Sequence, residues 1–254
     1  MTKAKTGADI IRAKRTAAGI KPAGVRKLVR AATTPARAHY QRATAAAGKA
    51  TPAAETQASS QDKLMLAALH AARRRLKDIK ALDRKIAAKR EILPQFDAYL
   101  EGVLQADAGG ENPVLVYTLL WRFDVGDLQG ALALSDYALR HGLSAPDTHQ
   151  RDLPSIIAEQ TAEEVLKALA IDGADAPFLA AACRAAAELT DARDLHDQIR
   201  AKLRKAHGYA LRAADDLPGA VTQLTDALAL NSKIGVKRDI ENLERDIKKQ
   251  GAAG

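Results

Sequence analysis

Residues 112–143 read NPVLVYTLLWRFDVGDLQGALALSDYALRHGL, and this stretch decides the fold class. Asn112 and Pro113 are typical of a helix start, because the Asn side chain caps free N–H groups and Pro fits the first helical position. The apolar segment that follows ends at Gly126, and Asp127 provides a cap for a second helical segment. The stretch therefore predicts two antiparallel helices joined by a short turn.

The same pattern recurs 89 residues further along the chain. Residues 127–139 (DLQGALALSDYAL) align with residues 216–228 (DLPGAVTQLTDAL), and six of the thirteen positions are identical. Each copy follows an apolar helical segment, so each predicts an αα-hairpin of the kind found in tetratricopeptide proteins. The offset is not a multiple of about 34, the tetratricopeptide period, so the repeat does not predict a regular solenoid.

The overall composition also favours helices. Aromatic residues make up 4% of the 254 residues, Gly and Pro are sparse, and Ala is abundant. We therefore predict an all-α protein. The single cysteine, Cys183, excludes an intramolecular disulfide and a site with several thiolate ligands. No apolar run approaches the ~18 residues of a membrane span and no signal-peptide pattern is present, which predicts a soluble protein of a reducing compartment.

Charge divides the chain near Pro94. Residues 1–93 hold 22 Lys and Arg against 6 Asp and Glu, whereas residues 94–254 hold 17 against 25. Such polarity is typical of a polyanion-binding end joined to a body with another role. Because Tyr40 is the only aromatic side chain among the first 93 residues, contact with the backbone of duplex DNA fits better than stacking on single strands.

These patterns divide the chain into three segments. Residues 1–60 have few large apolar side chains and predict a basic DNA-binding arm that ends in a linker at 43–60; a small helix-turn-helix module is the alternative. Residues 61–93 predict a long basic helix. Residues 94–254 predict an acidic helical domain, with the two related hairpins, that mediates oligomerisation and partner contacts.

The long helix shows a capping signature at residues 59–62 and a seven-residue apolar spacing. Two rows repeat along it: Leu69, Leu76 and Asp83 in one, and Ala72, Ile79, Ile86 and Leu93 in the other. This seam fits a coiled coil between subunits, and it equally fits an amphipathic helix packed on its own domain. The residues alone leave both interpretations open.

The candidates for phosphate contacts are Lys and Arg side chains of the two basic segments. They are Arg12, Lys14, Arg15, Arg26, Lys27, Arg30, Arg73, Arg74, Arg75, Lys77, Arg84 and Lys85. If six to ten cations meet phosphates, binding weakens by roughly 10³–10⁵ between about 50 and 200 mM salt.

Two carboxylates in the first hairpin are candidates for chemistry. Metal-dependent phosphodiester cleavage needs hard oxygen ligands such as those of Asp124 and Asp127. The competing interpretation is that Asp127 caps a helix, as its repeat partner Asp216 would. A phosphate-binding loop is absent, because Gly48-Lys49 lacks the upstream Gly and the following hydroxyl, so the sequence predicts no motor ATPase.

Several blocks resemble the small terminase subunit of contractile-tailed temperate phages, a family also described as the terminase endonuclease subunit. They are KREILPQF at 89–96, LLWRFDVGDLQGAL at 119–132, YALRHGLSAP at 137–146, DLPGAV at 216–221 and IGVKRDIENLER at 234–245. The resemblance covers about residues 63–249, and the first 60 residues do not match clearly.

The resemblance implies a role in viral DNA packaging. Such subunits recognise the packaging site of the viral genome, assemble as homo-oligomers that are often rings, and hand DNA to a large subunit with ATPase activity. It implies action in the host cytoplasm, and Mg²⁺ as cofactor if the chain is an endonuclease. The alternative from another class is a tetratricopeptide-like scaffold whose basic end binds RNA or acidic proteins.

Overall fold

A computed structural model describes the backbone of residues 52–253 and the side chains of residues 60–251. In this part of the chain every regular element is an α-helix and no strand occurs, which confirms the all-α prediction. The six predicted phosphate contacts from Arg12 to Arg30, and any helix-turn-helix module near them, lie outside the described residues. None of the described helices is long and apolar enough to cross a lipid bilayer.

Ten helices follow one another in the described part, and the longest connection between them is residues 141–152. They are α1 (Pro52–Asp78), α2 (Leu82–Ile92), α3 (Pro94–Ala106), α4 (Pro113–Asp124), α5 (Leu128–Arg140), α6 (Leu153–Leu169), α7 (Ala176–Thr190), α8 (Asp197–Ala213), α9 (Leu217–Leu230) and α10 (Lys237–Ala253).

The prediction of one continuous helix over residues 61–93 is wrong. Helix α1 already begins at Pro52, inside the predicted linker, so the supposed capping signature lies within a helix. The helix then ends at Asp78, and α2 begins at Leu82 in a new direction. Tertiary packing explains the break: a straight helix from Leu69 to Ile92 would spread these side chains over about 35 Å, whereas the bend brings both into one core.

The seven-residue seam serves this core within the chain. Leu69, Ala72, Leu76 and Leu93 are buried in it, and Ile79 packs against it. Asp83 is exposed. These contacts favour an amphipathic helix packed on its own domain, and only Ile86, which is half-buried, lies outside the core among the apolar side chains of the seam. The coiled coil between subunits stays a prediction.

Helices α4 to α9 form three successive antiparallel pairs whose neighbours pack side by side. Helix α6 packs on both α7 and α8, and the large core extends from Leu69 to Ala210. Helix α10 adds a second, smaller core, in which Val236, Ile240 and Leu243 pack against α9. These apolar side chains at the start of α10 are thus buried within the chain.

The two related hairpins, α4–α5 and α8–α9, have the same turn. The Asp127 carboxylate accepts from the Gly130 N–H at 2.9 Å, and Asp216 accepts from Gly219 at 2.9 Å. The backbone N–H of each Asp also donates to a carbonyl five residues earlier, at 2.8 and 2.9 Å. Asp127 is therefore the cap of α5, as Asp216 is of α9.

Candidate nucleic-acid interface

The basic surface of the described residues lies on the last turns of α1, the bend, and α2. Of the predicted phosphate contacts, Arg74, Lys77 and Arg84 are exposed there. None of the three forms an ion pair with a carboxylate of the described residues. Arg74 and Lys77 share one face of α1, because residues three apart lie side by side on a helix. These cations are available to an external anion.

Two other predicted contacts are engaged within the chain. The Arg73 guanidinium lies 4.2 Å from the centre of the Tyr117 ring on α4, a cation–π contact that joins α1 to the first hairpin. The Arg75 guanidinium donates to the Glu91 carboxylate of α2 at 2.7 Å. Lys85 is half-buried. Sequence reasoning placed all of these on one long helix and missed both contacts.

A cleft of about 480 Å³ opens where α1 and α2 meet. Its lining, in chain order, consists of Arg75, Asp78, Ile79, Lys80, Arg84, Ala87, Ala88 and Glu91. Three of these side chains are cationic and two are anionic. Lys80, which was not among the predicted contacts, stands at the bend, is exposed, and has no ion pair with the described residues.

Helix α2 is held in place by contacts with the turn of the first hairpin. The Lys89 ammonium lies 2.5 Å from the Asp124 carboxylate, and the Lys89 side chain is only 13% exposed. Arg90 reaches the Val125 carbonyl at 3.4 Å, and Ile92 is buried. The position of the cleft wall therefore depends on α4 and its turn.

The two predicted metal-ligand candidates both have basic partners. Asp124 pairs with Lys89, and Asp127, besides capping α5, accepts from the Arg122 guanidinium. Arg122 also donates to Asp97 of α3 at 2.6 Å. Among the described residues, no three His, Cys, Asp or Glu side chains are grouped so as to hold a metal ion. Mg²⁺ at Asp124 and Asp127 would therefore have to displace two cations.

A polar cluster that sequence reasoning missed lies at the far end of α5. Asp107 accepts from His141 Nε2 at 2.7 Å and from Arg140 at 3.0 Å, and these hydrogen bonds lower the pKa of Asp107. The Gly109 N–H donates to the Tyr137 hydroxyl at 3.0 Å. Together these contacts fasten the loop after α3 to α5. The partners are some 30 positions apart, and no local pattern signals such a pairing.

Comparison with known proteins decides the family. The sequence model of the phage small terminase subunit matches residues 66–198 of this chain. The terminase endonuclease subunit of Escherichia phage P2 is 37% identical over 217 residues, which cover 85% of this chain and 86% of that protein. The chain belongs to the phage small terminase subunit family.

A second relative of this small terminase subunit is more distant. The probable terminase endonuclease subunit of Haemophilus phage HP1 is 28% identical over 171 residues, 62% of this chain and 60% of that protein. No solved structure matches the chain. The family match begins in α1 and ends at the start of α8, so it includes the cleft and the first hairpin of this small terminase subunit.

Proposed function

We propose that this small terminase subunit binds the phosphate backbone of viral duplex DNA through residues 1–93 and delivers the DNA to the large ATPase subunit. The charge division carries the proposal: residues 1–93 hold 22 cations against 6 carboxylates. Of the ten cations in residues 61–93, only Arg75 and Lys89 form ion pairs with the described residues. When exposed and unpaired cations contact the phosphates, the DNA releases its condensed counterions, and this release drives binding.

The acidic residues 94–254 then supply contacts between copies of the chain and with the large subunit. Most of the apolar seam of α1 and α2 is buried within the chain, so we expect subunit contacts on other surfaces. A homo-oligomer, such as a ring, places several basic segments around one duplex and multiplies their phosphate contacts. The DNA meets the protein in the host cytoplasm, where the viral genome is packaged.

The test measures the salt dependence of duplex binding by the full chain. One variant changes Arg12, Arg15, Arg74 and Lys77 to Gln, and the matched control changes Lys233, Lys237, Lys248 and Lys249, which carry the same charge on the acidic domain. The slope of log K against log salt should fall by about three to four in the first variant. It should stay unchanged in the control. Equal effects in both, or a preference for tRNA over duplex, would contradict the proposal.

The second candidate function is a Mg²⁺-dependent endonuclease. The names of both relatives, which describe endonuclease subunits, favour it. Asp124 and Asp127 remain the proposed ligands, although their cationic partners leave no ready-made site for the ion.

Plasmid cleavage by the purified chain with Mg²⁺ tests this candidate. Asp127→Asn is compared with Asp216→Asn, because Asn retains the cap in both hairpins and only Asp127 is a proposed ligand. Loss of cleavage in Asp127→Asn and in Asp124→Asn, with cleavage retained in Asp216→Asn, would support the metal site. Unaltered cleavage in the first two variants would remove it.

A further inference from the structure

The geometry points to the cleft between α1 and α2 as a seat for a single DNA phosphate. Lys80 and Arg84 contact the phosphate, and Arg75 joins them by exchanging Glu91 for it. The inference rests on the proposed function, since it takes duplex DNA as the ligand. Lys80 is thus a phosphate contact beyond those predicted, and Glu91 competes with the DNA for Arg75.

The lining of the cleft suits an anionic group that approaches from solvent. Ala87 and Ala88 supply two of its lining side chains, and Ala88 is buried, so this part of the wall carries only methyl groups. Lys80 and Arg84 come from the bend and from the first turn of α2, which places two cations at one opening. The volume of about 480 Å³ leaves room for a phosphate with part of its hydration.

Two carboxylates, Asp78 and Glu91, also line the cleft and oppose an incoming anion. Asp78 forms no ion pair with the described residues, so Lys80 and Arg84 keep their hydrogen-bond donors free for an anion although this carboxylate lines the same cleft. Glu91 holds Arg75 at 2.7 Å, with the two side chains 65% and 56% exposed. An ion pair this open to solvent contributes little, because water screens it and both side chains lose freedom. A DNA phosphodiester carries one negative charge shared by two oxygens, as the Glu91 carboxylate does, so it can take the place of Glu91 on the Arg75 guanidinium.

The surroundings favour a phosphate that belongs to a duplex. Arg74 is exposed on α1 four residues before the cleft residue Asp78, and exposed Lys77 lies three residues after Arg74, so positive charge continues along this side of the helix beyond the opening. A single free phosphate would satisfy only the cleft, whereas a DNA backbone places successive charges along the same surface. Arginine also suits this role, since its planar group binds phosphate through two hydrogen bonds.

Four single substitutions in the full chain test the site by duplex binding over a salt series. Lys80→Gln and Arg84→Gln should each weaken binding about five- to tenfold near 0.1 M salt and lower the slope by about one. Glu91→Gln should strengthen binding several-fold, because Arg75 is released. Asp83→Asn is its control: the same charge is removed from an exposed position of α2 that does not line the cleft. Its gain should be clearly smaller.

The outcomes separate this site from the general function. If the wild-type chain binds duplex but Lys80→Gln and Arg84→Gln behave like Lys248→Gln, the cleft is wrong and the proposed function stands. If the wild-type chain does not bind duplex, the proposed function fails as well. An equal gain in Glu91→Gln and Asp83→Asn would also overturn the site. A misfolded variant would not bind duplex DNA more tightly than the wild-type chain. Glu91→Gln therefore tests the site even if another variant is unstable.

Two further measurements identify the source of the phosphate. Inorganic phosphate is titrated into the wild-type and Lys80→Gln chains by calorimetry, and tRNA competes with duplex in the binding assay. The inference expects weak phosphate binding that depends on Lys80, and duplex binding that tRNA displaces poorly. Tight binding of free phosphate without an effect of Lys80→Gln on DNA, or a Lys80-dependent preference for tRNA, would overturn the assignment to DNA.

Discussion

Asp215 has the same left-handed backbone conformation in the turn of the second hairpin that Gly126 has in the first, with φ angles of +62° and +79°. The two residues are 89 positions apart, which is the offset of the repeat. In each turn the next residue is the Asp that caps the following helix. The duplicated hairpin thus keeps its backbone path although glycine is replaced by a residue that pays a steric cost for positive φ.

Asp215→Gly should therefore stabilise the protein. Gly adopts a left-handed conformation without steric cost, so the substitution removes the strain of Asp215. This removal outweighs the entropy that Gly adds to the unfolded chain, and the free energy of unfolding should rise by about 0.5–1 kcal/mol. Gly126→Ala should destabilise by about 1 kcal/mol, because its new Cβ meets nothing closer than Glu164 at 3.7 Å and only the backbone is strained. Urea unfolding measures both. A Gly126→Ala variant as stable as wild type would contradict the argument.

The caps of the two hairpins should differ in their contribution to stability. Asp216→Ala removes one capping hydrogen bond and should cost about 1 kcal/mol. Asp127→Ala should cost about 1–2 kcal/mol more, because Arg122, whose side chain is 17% exposed, also loses a carboxylate and retains only Asp97. Thermal and urea unfolding of the two variants decide the point, and equal losses would contradict it.

Gly208 allows α8 and α9 to approach closely, and alanine there should destabilise. A Cβ at this position would lie 2.7 Å from the buried Leu224 side chain and 3.2 Å from the Ala220 carbonyl. We expect Gly208→Ala to cost about 1–3 kcal/mol in spite of the better helix propensity of Ala. Gly102→Ala in α3 is the control, because nothing lies within 4 Å of the new Cβ. It should stabilise by up to about 1 kcal/mol.

These hairpins also show how far the sequence predicts the fold. The caps at Asn112 and Asp127 and the recurrence of DL-GA at position 216 are local patterns, and a local hydrogen bond realises each of them. The break between α1 and α2 has no Gly or Pro to signal it. It follows from the burial of Leu69 and Ile92 in one core, which depends on the position of other helices.

The candidate nucleic-acid interface, like the fold, is predictable from the sequence only in part. The charge excess of residues 1–93 can be counted, and it identifies the basic end, including exposed Arg74 and Arg84. The cleft could not be predicted, because it exists only where the bend brings Arg75 near Glu91, sixteen positions later. For the same reason Lys80 appeared to be one more cation on a straight helix. Pairings over such distances arise from the three-dimensional fold and have no local sequence signal.

Stability should depend on pH through His207. Burial lowers the pKa of His207 to about 4 from its ordinary 6.5, and nearby Arg204 lowers it further, while the Gln223 side chain opposes the shift. The unfolded chain binds the proton near pH 6.5 and the folded chain only near pH 4. Stability is therefore complete above pH 6.5 and declines as the pH falls towards 4, by about 2 kcal/mol at pH 5.

Urea unfolding of the wild-type chain and of His207→Gln at pH 7 and pH 5 checks this dependence. Gln can retain a hydrogen bond to Gln223 but does not titrate, so the variant should lose much less stability at pH 5. The pKa of Asp107 lies below its usual 3.8, so its contribution to stability is lost only below about that pH. The comparison between pH 7 and pH 5 is therefore not affected by Asp107. Equal losses in the two chains would show that another group is responsible.

Photo-crosslinking of the full chain to a duplex, followed by mass spectrometry of the crosslinked peptides, tests the account most directly. The account predicts that the crosslinks fall within residues 1–93, with peptides around the bend at Lys80 among them, and that they disappear as salt is raised. Crosslinks concentrated on residues 94–254, with the basic segments unlabelled at low salt, would contradict it.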